Sequence, residues 1–227
     1  ITVSTPAREE LSERLNIDPS KIEVMVPLAV PAPRGNPSQA ELEHVRRKYA
    51  LPEHFILMIG TVEPRHNHQA VFAALADAAS PAGVVVCGRR TAWSDYLLGY
   101  ARARRIAARV DFIYELTPSD LPALFRLARV FAYLPDADAE ASVVPVVEAL
   151  RAGLPMVLSD TQVNREAAGE AAAYVRPEAR GEVLAALENA LEDVSWRRTM
   201  QERERRRAEL FSEYAVAERL MQIYTSL

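Results

Sequence analysis

The 227-residue chain is poor in cysteine and lysine and lacks any long apolar run. Its single cysteine, Cys87, excludes an internal disulfide framework and fits a reducing cytoplasm. No apolar stretch approaches the roughly 18 residues that a membrane-spanning helix needs. Lys21 and Lys48 are the only lysines, and the formal net charge of −4 provides no overall basic surface for nucleic acid. These absences indicate a globular cytoplasmic protein without a nucleic-acid partner.

Short, continuous apolar segments recur along the chain and alternate with helical patterns. Their length, branched residues and lack of polar alternation are typical of parallel strands covered on both faces. The alternation predicts an α/β fold, a doubly wound parallel sheet of Rossmann type. Seven segments are predicted as strands: residues 22–26, 54–60, 83–88, 109–114, 130–134, 154–159 and 172–175.

Capping residues predict where several helices begin. Ser38 with Glu41 three residues later has the pattern of a capping box, and Asn67 is expected to cap the helix that follows it. Pro118 is suited to the start of another helix. From Ala179 onward the pattern is helical throughout, which predicts a helical C-terminal extension of the α/β domain.

The chain divides into two parts by composition. Residues 1–37 read as a strand, a helix and a strand followed by the proline-rich segment VPLAVPAPRGNP, which lacks periodicity and is typical of a linker. Residues 38–227 form the expected complete domain. Because the chain begins without methionine or a signal peptide, we expect residues 1–37 to be the remnant of a missing N-terminal domain together with the interdomain linker.

Three charged residues fall on loops at one edge of the predicted sheet. Ligands of open parallel sheets bind beyond the carboxyl ends of the strands, and Arg65, Glu140 and Glu148 all follow such strands. If the segment is helical, eight residues separate the two carboxylates by about 12 Å, which is about the reach from the ribose to the sugar of a nucleotide-sugar. Carboxylates can accept hydrogen bonds from vicinal hydroxyls, and a helix N-terminus with an arginine suits the diphosphate between them. Taken singly, each glutamate is more typical of a surface helix, but the joint occurrence of Arg65, Glu140 and Glu148 at one sheet edge favours a ligand site.

Three motifs occur in order along the chain: ILMIGTVEPRHN, VVCGRRTAW and EASVVPVVEALRAGLPMVLSD. With them, residues from about Ile22 to Leu227 resemble the donor-binding, C-terminal half of retaining glycosyltransferases of family four, which have the two-domain GT-B fold. The resemblance implies an enzyme that transfers a sugar from a nucleotide-sugar, with retention and without a metal or other cofactor. The missing N-terminal domain would hold a glycan or lipid-linked acceptor. The setting we expect is bacterial polysaccharide biosynthesis.

The same resemblance implies roles for individual residues. Glu140 would be catalytic and would contact the hydroxyls of the transferred sugar, Arg65 would contact the diphosphate, Glu148 the ribose, and Leu116 would lie beside the base. The P-R-K-N form of the first motif is frequent among mannosyltransferases, which favours GDP-mannose as the donor. The further residues implied in donor binding are Gly60, Thr61, His66, Ser142, Val143 and Val144.

Two departures from the family pattern fall on the phosphate-binding motifs. His66 replaces a lysine, and histidine with its ordinary pKa of about 6.5 is mostly neutral at pH 7, which weakens one fixed charge. Ala141, Ser142 and Val143 replace the family's G-F-G, and valine does not readily adopt the positive φ that glycine allows. In an active enzyme, His66 would be charged by the bound diphosphate and Ser142 would add a hydroxyl donor.

Two other functions stay open, and so does a contact with a membrane. The chain could be a non-catalytic glycosyltransferase-like domain that binds a nucleotide or a protein partner, or a different enzyme on the same fold, such as a sugar-nucleotide epimerase. Arg102, Arg105 and Arg109 could share one helix face, either as a solvated surface or as a basic patch for a peripheral contact at the inner face of the membrane.

Overall fold

The computed structural model describes residues 1–25, 37–136 and 142–225. Within these ranges the chain forms a six-stranded sheet with the order β3-β2-β1-β4-β5-β6, and every neighbouring pair is parallel. This is the strand order of the Rossmann fold, so the predicted doubly wound sheet is confirmed. The strands are β1 Phe55–Ile59, β2 Gly83–Cys87, β3 Val110–Ile113, β4 Val130–Tyr133, β5 Met156–Ser159 and β6 Ala173–Val175.

The predicted strand at residues 22–26 is wrong. Within its described part, residues 22–25, only Val24 pairs, through an isolated parallel bridge to Thr2. Among residues 1–25, 37–136 and 142–225, no further strand lies beside the apolar run to extend the ladder, and a strand needs such a partner to satisfy its backbone groups. The other six predicted strands are present.

Ten helices surround the sheet within the described residues. The capping box of Ser38 and Glu41 is confirmed, because the Ser38 hydroxyl accepts from the Glu41 N–H while the Glu41 carboxylate accepts from the Ser38 N–H. The helices are α1 Thr5–Leu15, α2 Gln39–Lys48, α3 His68–Asp77, α4 Ala92–Ala103, α5 Leu121–Leu127, α6 Val144–Ala152, α7 Gln162–Ala168, α8 Arg180–Glu192, α9 Val194–Ala208 and α10 Glu213–Thr225.

The sheet is covered on both faces, as its continuous apolar strands predict. One core lies between the sheet and α2, α5, α6 and α7, and contains Phe125 and Phe131 with ring centroids 5.5 Å apart. The other core lies under α3, α4 and α8 and includes Phe72 and Leu97, both completely buried. Successive side chains of the central strands β1, β2, β4 and β5 therefore enter opposite apolar cores, whereas the edge strand β3 exposes Asp111.

The predicted helical extension is confirmed as α8, α9 and α10. Arg207 of α9 donates to the Ala167 carbonyl oxygen at 2.8 Å and thereby holds α9 against the end of α7. At the other end of the chain, the backbone N–H and the hydroxyl of Thr5 donate to the Glu166 carboxylate at 2.8 and 2.9 Å. Helices α1 and α9, from the two ends of the chain, are thus both attached to the α/β unit around α7.

The shared helix face expected for Arg102, Arg105 and Arg109 is wrong. Helix α4 ends at Ala103, and Arg105 lies beyond it in the left-handed region with φ 59°. The Arg109 guanidinium points inward and donates to the backbone oxygens of Ser80 and Ala82, so it holds the β2 connection in place. Among the described residues, no helix is both long and apolar enough to cross a membrane.

Candidate functional site

The fold places a cleft between β1 and β4, because the chain leaves these neighbouring strands toward opposite faces of the sheet. Helix α3 follows β1 onto one face, and α6 follows β4 onto the other. Two loops meet at this switch point: the β1 loop, residues 60–67, and the β4 loop, of which residues 134–136 and 142–143 are described. Such a switch point is where open α/β sheets bind their ligands.

Asn67 ties the two loops together. Its side-chain amide donates to the Leu134 carbonyl oxygen at 2.9 Å and to an Asp136 carboxylate oxygen at 2.7 Å. In return, the Asp136 N–H donates to the Arg65 carbonyl oxygen at 2.8 Å. The predicted helix cap is therefore wrong: Asn67 precedes α3 in the left-handed conformation with φ 52°, and its side chain makes no capping bond. It connects β1 to β4 instead.

A glycine contact fixes the β1 loop against the β2 loop, residues 88–91. The Gly60 N–H donates to the Cys87 carbonyl oxygen at 3.0 Å. A Cβ added to Gly88 would lie 1.8 Å from the Gly60 carbonyl oxygen, a distance that no side chain can occupy. Gly60 itself has φ 141°, which strongly favours glycine. Both glycines are required for the close approach of these loops.

Arg65 lies at the surface of the β1 loop, with its side chain about half exposed at 49%. Its Nε donates to the Glu63 carboxylate at 2.7 Å, and Arg89 of the β2 loop approaches the same carboxylate at 3.9 Å. Exposed ion pairs of this kind are worth little, about 0–1 kcal/mol. A diphosphate could therefore compete with Glu63 for the Arg65 guanidinium at low cost.

His66 and Thr61 lie on the inner side of the same loop. The His66 ring is buried, and its Nδ1 lies 2.5 Å from the Thr61 carbonyl oxygen. Because a carbonyl oxygen can only accept, Nδ1 carries the proton in this arrangement. A contact of His66 with an anion would have to come from the other ring nitrogen. His66 thus supports the loop from inside, whereas Arg65 faces outward.

Helix α6 begins at the β4 loop with its N-terminus at the cleft. Val143 precedes it with φ −95°, an ordinary conformation for valine, so this position does not require glycine. The Ser142 hydroxyl accepts weakly from the Val144 N–H at 3.4 Å. Pro145 has no N–H, so Val144 and Val146 supply the amide hydrogens of the first turn. The structure thus retains a helix N-terminus suited to an anion.

Glu148 lies in the second turn of α6 and is 9% exposed. It makes no hydrogen bond or ion pair with any other described residue. Burial raises the pKa of its carboxyl group, and the charge of Arg151 acts in the opposite direction. Its carboxylate oxygens are not sealed from solvent as those of Glu204 are, so vicinal hydroxyls of a ligand could donate to them. Glu148 is therefore not the solvated surface residue of the alternative interpretation.

A pocket of about 590 Å³ adjoins the β1 loop at the carboxyl ends of β2 and β3. Leu116 contributes apolar surface, and the Arg90 guanidinium lies 5.6 Å from the centre of the Tyr114 ring. Glu115, an exposed residue, places a carboxylate beside them. An apolar wall with flat cationic and aromatic groups is suited to a planar heterocycle.

Two further expectations concern Glu140 and metal binding. Glu140 and Ala141 lie outside the described residues, so the catalytic role of Glu140 stays a prediction. Within the described ranges, no group of three or more histidine, cysteine or acidic residues could hold a metal ion. His68, two residues after His66, is buried, and this burial lowers the pKa of its ring to about 4, so the ring is neutral at pH 7.

The family model for glycosyl transferases group 1 matches residues 41–207, which cover the sheet, the cleft loops and most of α9. The chain belongs to this family.

Relatives within the group 1 family include O-antigen enzymes. The chain is 28% identical over 218 residues to O-antigen chain mannosyltransferase B of Escherichia coli, covering 93% of this chain and 56% of that protein. It is 24% identical over 193 residues to O-antigen chain mannosyltransferase RfbU of Salmonella typhimurium, covering 83% and 50%, respectively. The chain thus spans about half the length of these relatives.

Solved structures agree with the group 1 fold. Anabaena Alr3699/HepE in complex with UDP and glucose superimposes with a TM-score of 0.85 at 15% identity, over 100% of this chain and 62% of that chain. WaaG, a glycosyltransferase involved in lipopolysaccharide biosynthesis, superimposes with a TM-score of 0.81 at 17% identity, covering 98% and 61%. The sheet and its helices are therefore the C-terminal Rossmann-like half of a GT-B fold.

Sequence reasoning missed several residues of this group 1 site. Gly88, directly after β2, could have indicated the tight contact between the β1 and β2 loops, because glycine often marks a close approach of two backbones. Tyr114 and Glu115 directly follow a strand. The position beyond the carboxyl end of a strand, which indicated Arg65, could have indicated them too. No local signal could assign Asn67 to the β4 loop, because its partners lie 67 and 69 residues away.

Proposed function

We propose that the protein transfers mannose from GDP-mannose, with retention, to a glycan or lipid-linked acceptor at the cytoplasmic face of the membrane. The observation that carries this proposal is Glu148, a buried carboxylate without a described protein partner, one turn inside the helix whose N-terminus faces the cleft. The mannosyltransferase relatives support the choice of sugar. The half of a GT-B enzyme that binds the acceptor would complete the site.

The site residues can be assigned to successive parts of the donor. The diphosphate would lie between Arg65 and the N-terminus of α6, and Glu148 would accept from the ribose hydroxyls. The base would enter the pocket beside Leu116. From the family resemblance, Glu140 would hold hydroxyls of the mannose.

Glu115 supports guanine as the base. Guanine presents the N1–H and the exocyclic amino group side by side, and a carboxylate can accept from both. Uracil presents a single N–H between two carbonyl oxygens, and these would be repelled by the same carboxylate. We therefore infer that the pocket discriminates in favour of GDP over UDP through Glu115.

The chemical step would use electrostatic stabilisation. As the bond between mannose C1 and the diphosphate oxygen breaks, negative charge develops on the leaving GDP. Arg65 and the amides at the start of α6 would stabilise that charge without a metal. The acceptor hydroxyl would form the new bond on the face that the leaving group vacates and would lose its proton to the departing phosphate oxygen.

The test is calorimetric titration of the chain with GDP, GDP-mannose, UDP and UDP-glucose. We expect GDP and GDP-mannose to bind with micromolar affinity and the uridine nucleotides more weakly. Glu148→Gln should weaken GDP-mannose about tenfold or more, since truncating a hydrogen bond to a charged group costs about 1.5–3 kcal/mol. Glu218→Gln, at an exposed position on α10, is the matched control and should bind as the parent chain does.

A non-catalytic glycosyltransferase-like module is the second candidate. The pairing of Arg65 with Glu63 and of His66 with Thr61 favours it, because these groups are occupied within the protein. Such a module would bind the nucleotides weakly or not at all, and would transfer no sugar even with the acceptor-binding half present. If the nucleotides bind but Glu115→Gln leaves the preference for GDP unchanged, the assignment of Glu115 fails while the donor site stands.

A further inference from the structure

Three arginines meet in a pocket on the side of the molecule away from the cleft. The pocket has a volume of about 320 Å³ and includes Arg126 of α5, Arg151 of α6 and Arg205 of α9. Because α5 and α6 run antiparallel to the strands they follow, their C-terminal ends lie at the amino edge of the sheet. The donor loops lie at the carboxyl edge. We call this site the arginine pocket.

The positive charge of the arginine pocket is uncompensated within the described chain. None of its three arginines makes an ion pair or hydrogen bond with another described residue, and no described carboxylate lines the pocket. One guanidinium nitrogen of Arg151, Nη1, is buried without a partner. The positive charge of Arg151 lowers the pKa of Glu148, three residues earlier, without an ion pair between the two side chains. By contrast, Arg109 and Arg207 donate to carbonyl oxygens.

Helix dipoles explain only part of this cluster. Each arginine lies in the last turn of its helix, where a positive charge is favourable. Three helix C-termini together carry about −1.5 elementary charges, against three full positive charges. Two carbonyl oxygens of the last turn of α6, those of Ala149 and Leu150, moreover already accept from the N–H groups of Gly153 and Leu154. The helix ends therefore leave a net positive charge of about one and a half.

We propose that the arginine pocket binds a phosphate group. Guanidinium groups from three helices can present paired N–H donors to the oxygens of one phosphate. Gln201 adds an amide at the rim, where its Nε2 lies 3.5 Å from the Gly153 carbonyl oxygen. The phosphate could be free in solution or belong to a lipid headgroup. The site is separate from the donor cleft and does not depend on the proposed transfer reaction.

The test is an NMR titration of the chain with inorganic phosphate. We expect the backbone amides of Ala152 and Gly153 to shift in a saturable manner, with a Kd of about 1 mM or tighter. The double substitution Arg126→Gln and Arg205→Gln should weaken this binding at least tenfold. Arg198→Gln, at an exposed position on α9, is the matched control and should change little. The dispersion of the amide spectrum verifies that each variant is folded.

A second arm distinguishes the source of the phosphate. The chain is floated with vesicles of phosphatidylglycerol and, separately, of phosphatidylcholine. Flotation with phosphatidylglycerol that the double substitution abolishes would assign the site to a lipid headgroup, whereas shifts with inorganic phosphate alone would assign it to a free ligand. The proposal is overturned if phosphate shifts only amides of the donor loops, such as those near Arg65, or if neither probe binds in an arginine-dependent manner.

Discussion

At the residue scale, the site depends on positions where a single atom decides whether two loops can meet. Gly88 is the sharpest case, because an added methyl group would overlap the Gly60 carbonyl oxygen at 1.8 Å. Backbone cannot move aside as a flexible side chain can. The glycine is thus required by the neighbouring β1 loop, 28 residues earlier in the chain.

Gly88→Ala should therefore destabilise the protein. Overpacking of a tight contact typically costs about 1–3 kcal/mol, and a displaced β1 loop should also weaken GDP-mannose binding. Gly99→Ala is the matched control: nothing lies within 4 Å of its added Cβ, and alanine in a helix interior is better than glycine by about 0.5–1 kcal/mol. Urea denaturation measures both, and equal stabilities of the two variants would contradict the prediction.

A second residue-scale prediction concerns Glu204 of α9. This side chain is fully buried, neither carboxyl oxygen has a partner among the described residues, and burial raises its pKa from the ordinary 4.5 to about 8. Between these values the folded state holds a proton that the unfolded state has lost. Stability should therefore fall as pH rises through this window, by up to about 1.4 kcal/mol per pH unit.

The measurement is best made between pH 6.5 and 8. Below that range His68 has the opposite effect, because its lowered pKa of about 4 makes stability rise with pH up to about 6.5. Glu204→Gln should remove the loss of stability between pH 6.5 and 8, with Glu218→Gln as the control. A parent chain and a Glu204→Gln chain with the same pH slope would refute the protonated state.

At the element scale, the cleft is built from two loops held together by hydrogen bonds across the switch point. The strands and most helices were predictable because each is encoded by a local pattern, as in the capping box at Ser38 and Glu41. The role of Asn67 was not predictable. Its sequence position suits a helix cap, but its amide finds better partners on the β4 loop, which only the parallel pairing of β1 and β4 brings close.

Substitutions of Asn67 should separate the contribution of its side-chain hydrogen bonds from that of its left-handed backbone conformation. Asn67→Gly keeps the left-handed conformation and removes both side-chain bonds, so we expect a loss of about 1–3 kcal/mol in stability and weaker donor binding. Asn67→Ala should cost about a further 1 kcal/mol, because alanine is strained at φ 52°. Denaturation and calorimetry test this order. Unchanged stability and affinity in Asn67→Gly would show that the loops do not need the link.

At the scale of the whole molecule, helices distant in sequence attach to the sheet through α7. Glu166 accepts twice from Thr5, across 161 residues, while the bond between Arg219 and Glu23 is exposed to solvent. The two contacts differ in burial, and a bond shielded from water is worth more. The N-terminal helix should therefore depend mainly on Glu166.

Glu166→Ala should increase hydrogen exchange in residues 1–25 while leaving the strands protected. Loss of two hydrogen bonds to a carboxylate predicts a local destabilisation of about 2–4 kcal/mol, whereas Arg219→Gln should change exchange by less than about 1 kcal/mol. Exchange measured by mass spectrometry separates the segments. If both variants exchange alike in residues 1–25, the attachment of α1 does not rest on Glu166.

The sequence by itself determined the α/β class, six of the strands, the helical extension, the loop that carries Arg65 and the helix that carries Glu148. Local periodicity and capping suffice for these features, since each depends on residues within a few positions of one another. Only the tertiary structure decided that Asn67 joins two loops, that Gly88 must lack a side chain, that Glu148 is buried and that three helix ends form the arginine pocket. These features arise from contacts between segments distant in sequence, which no local pattern encodes.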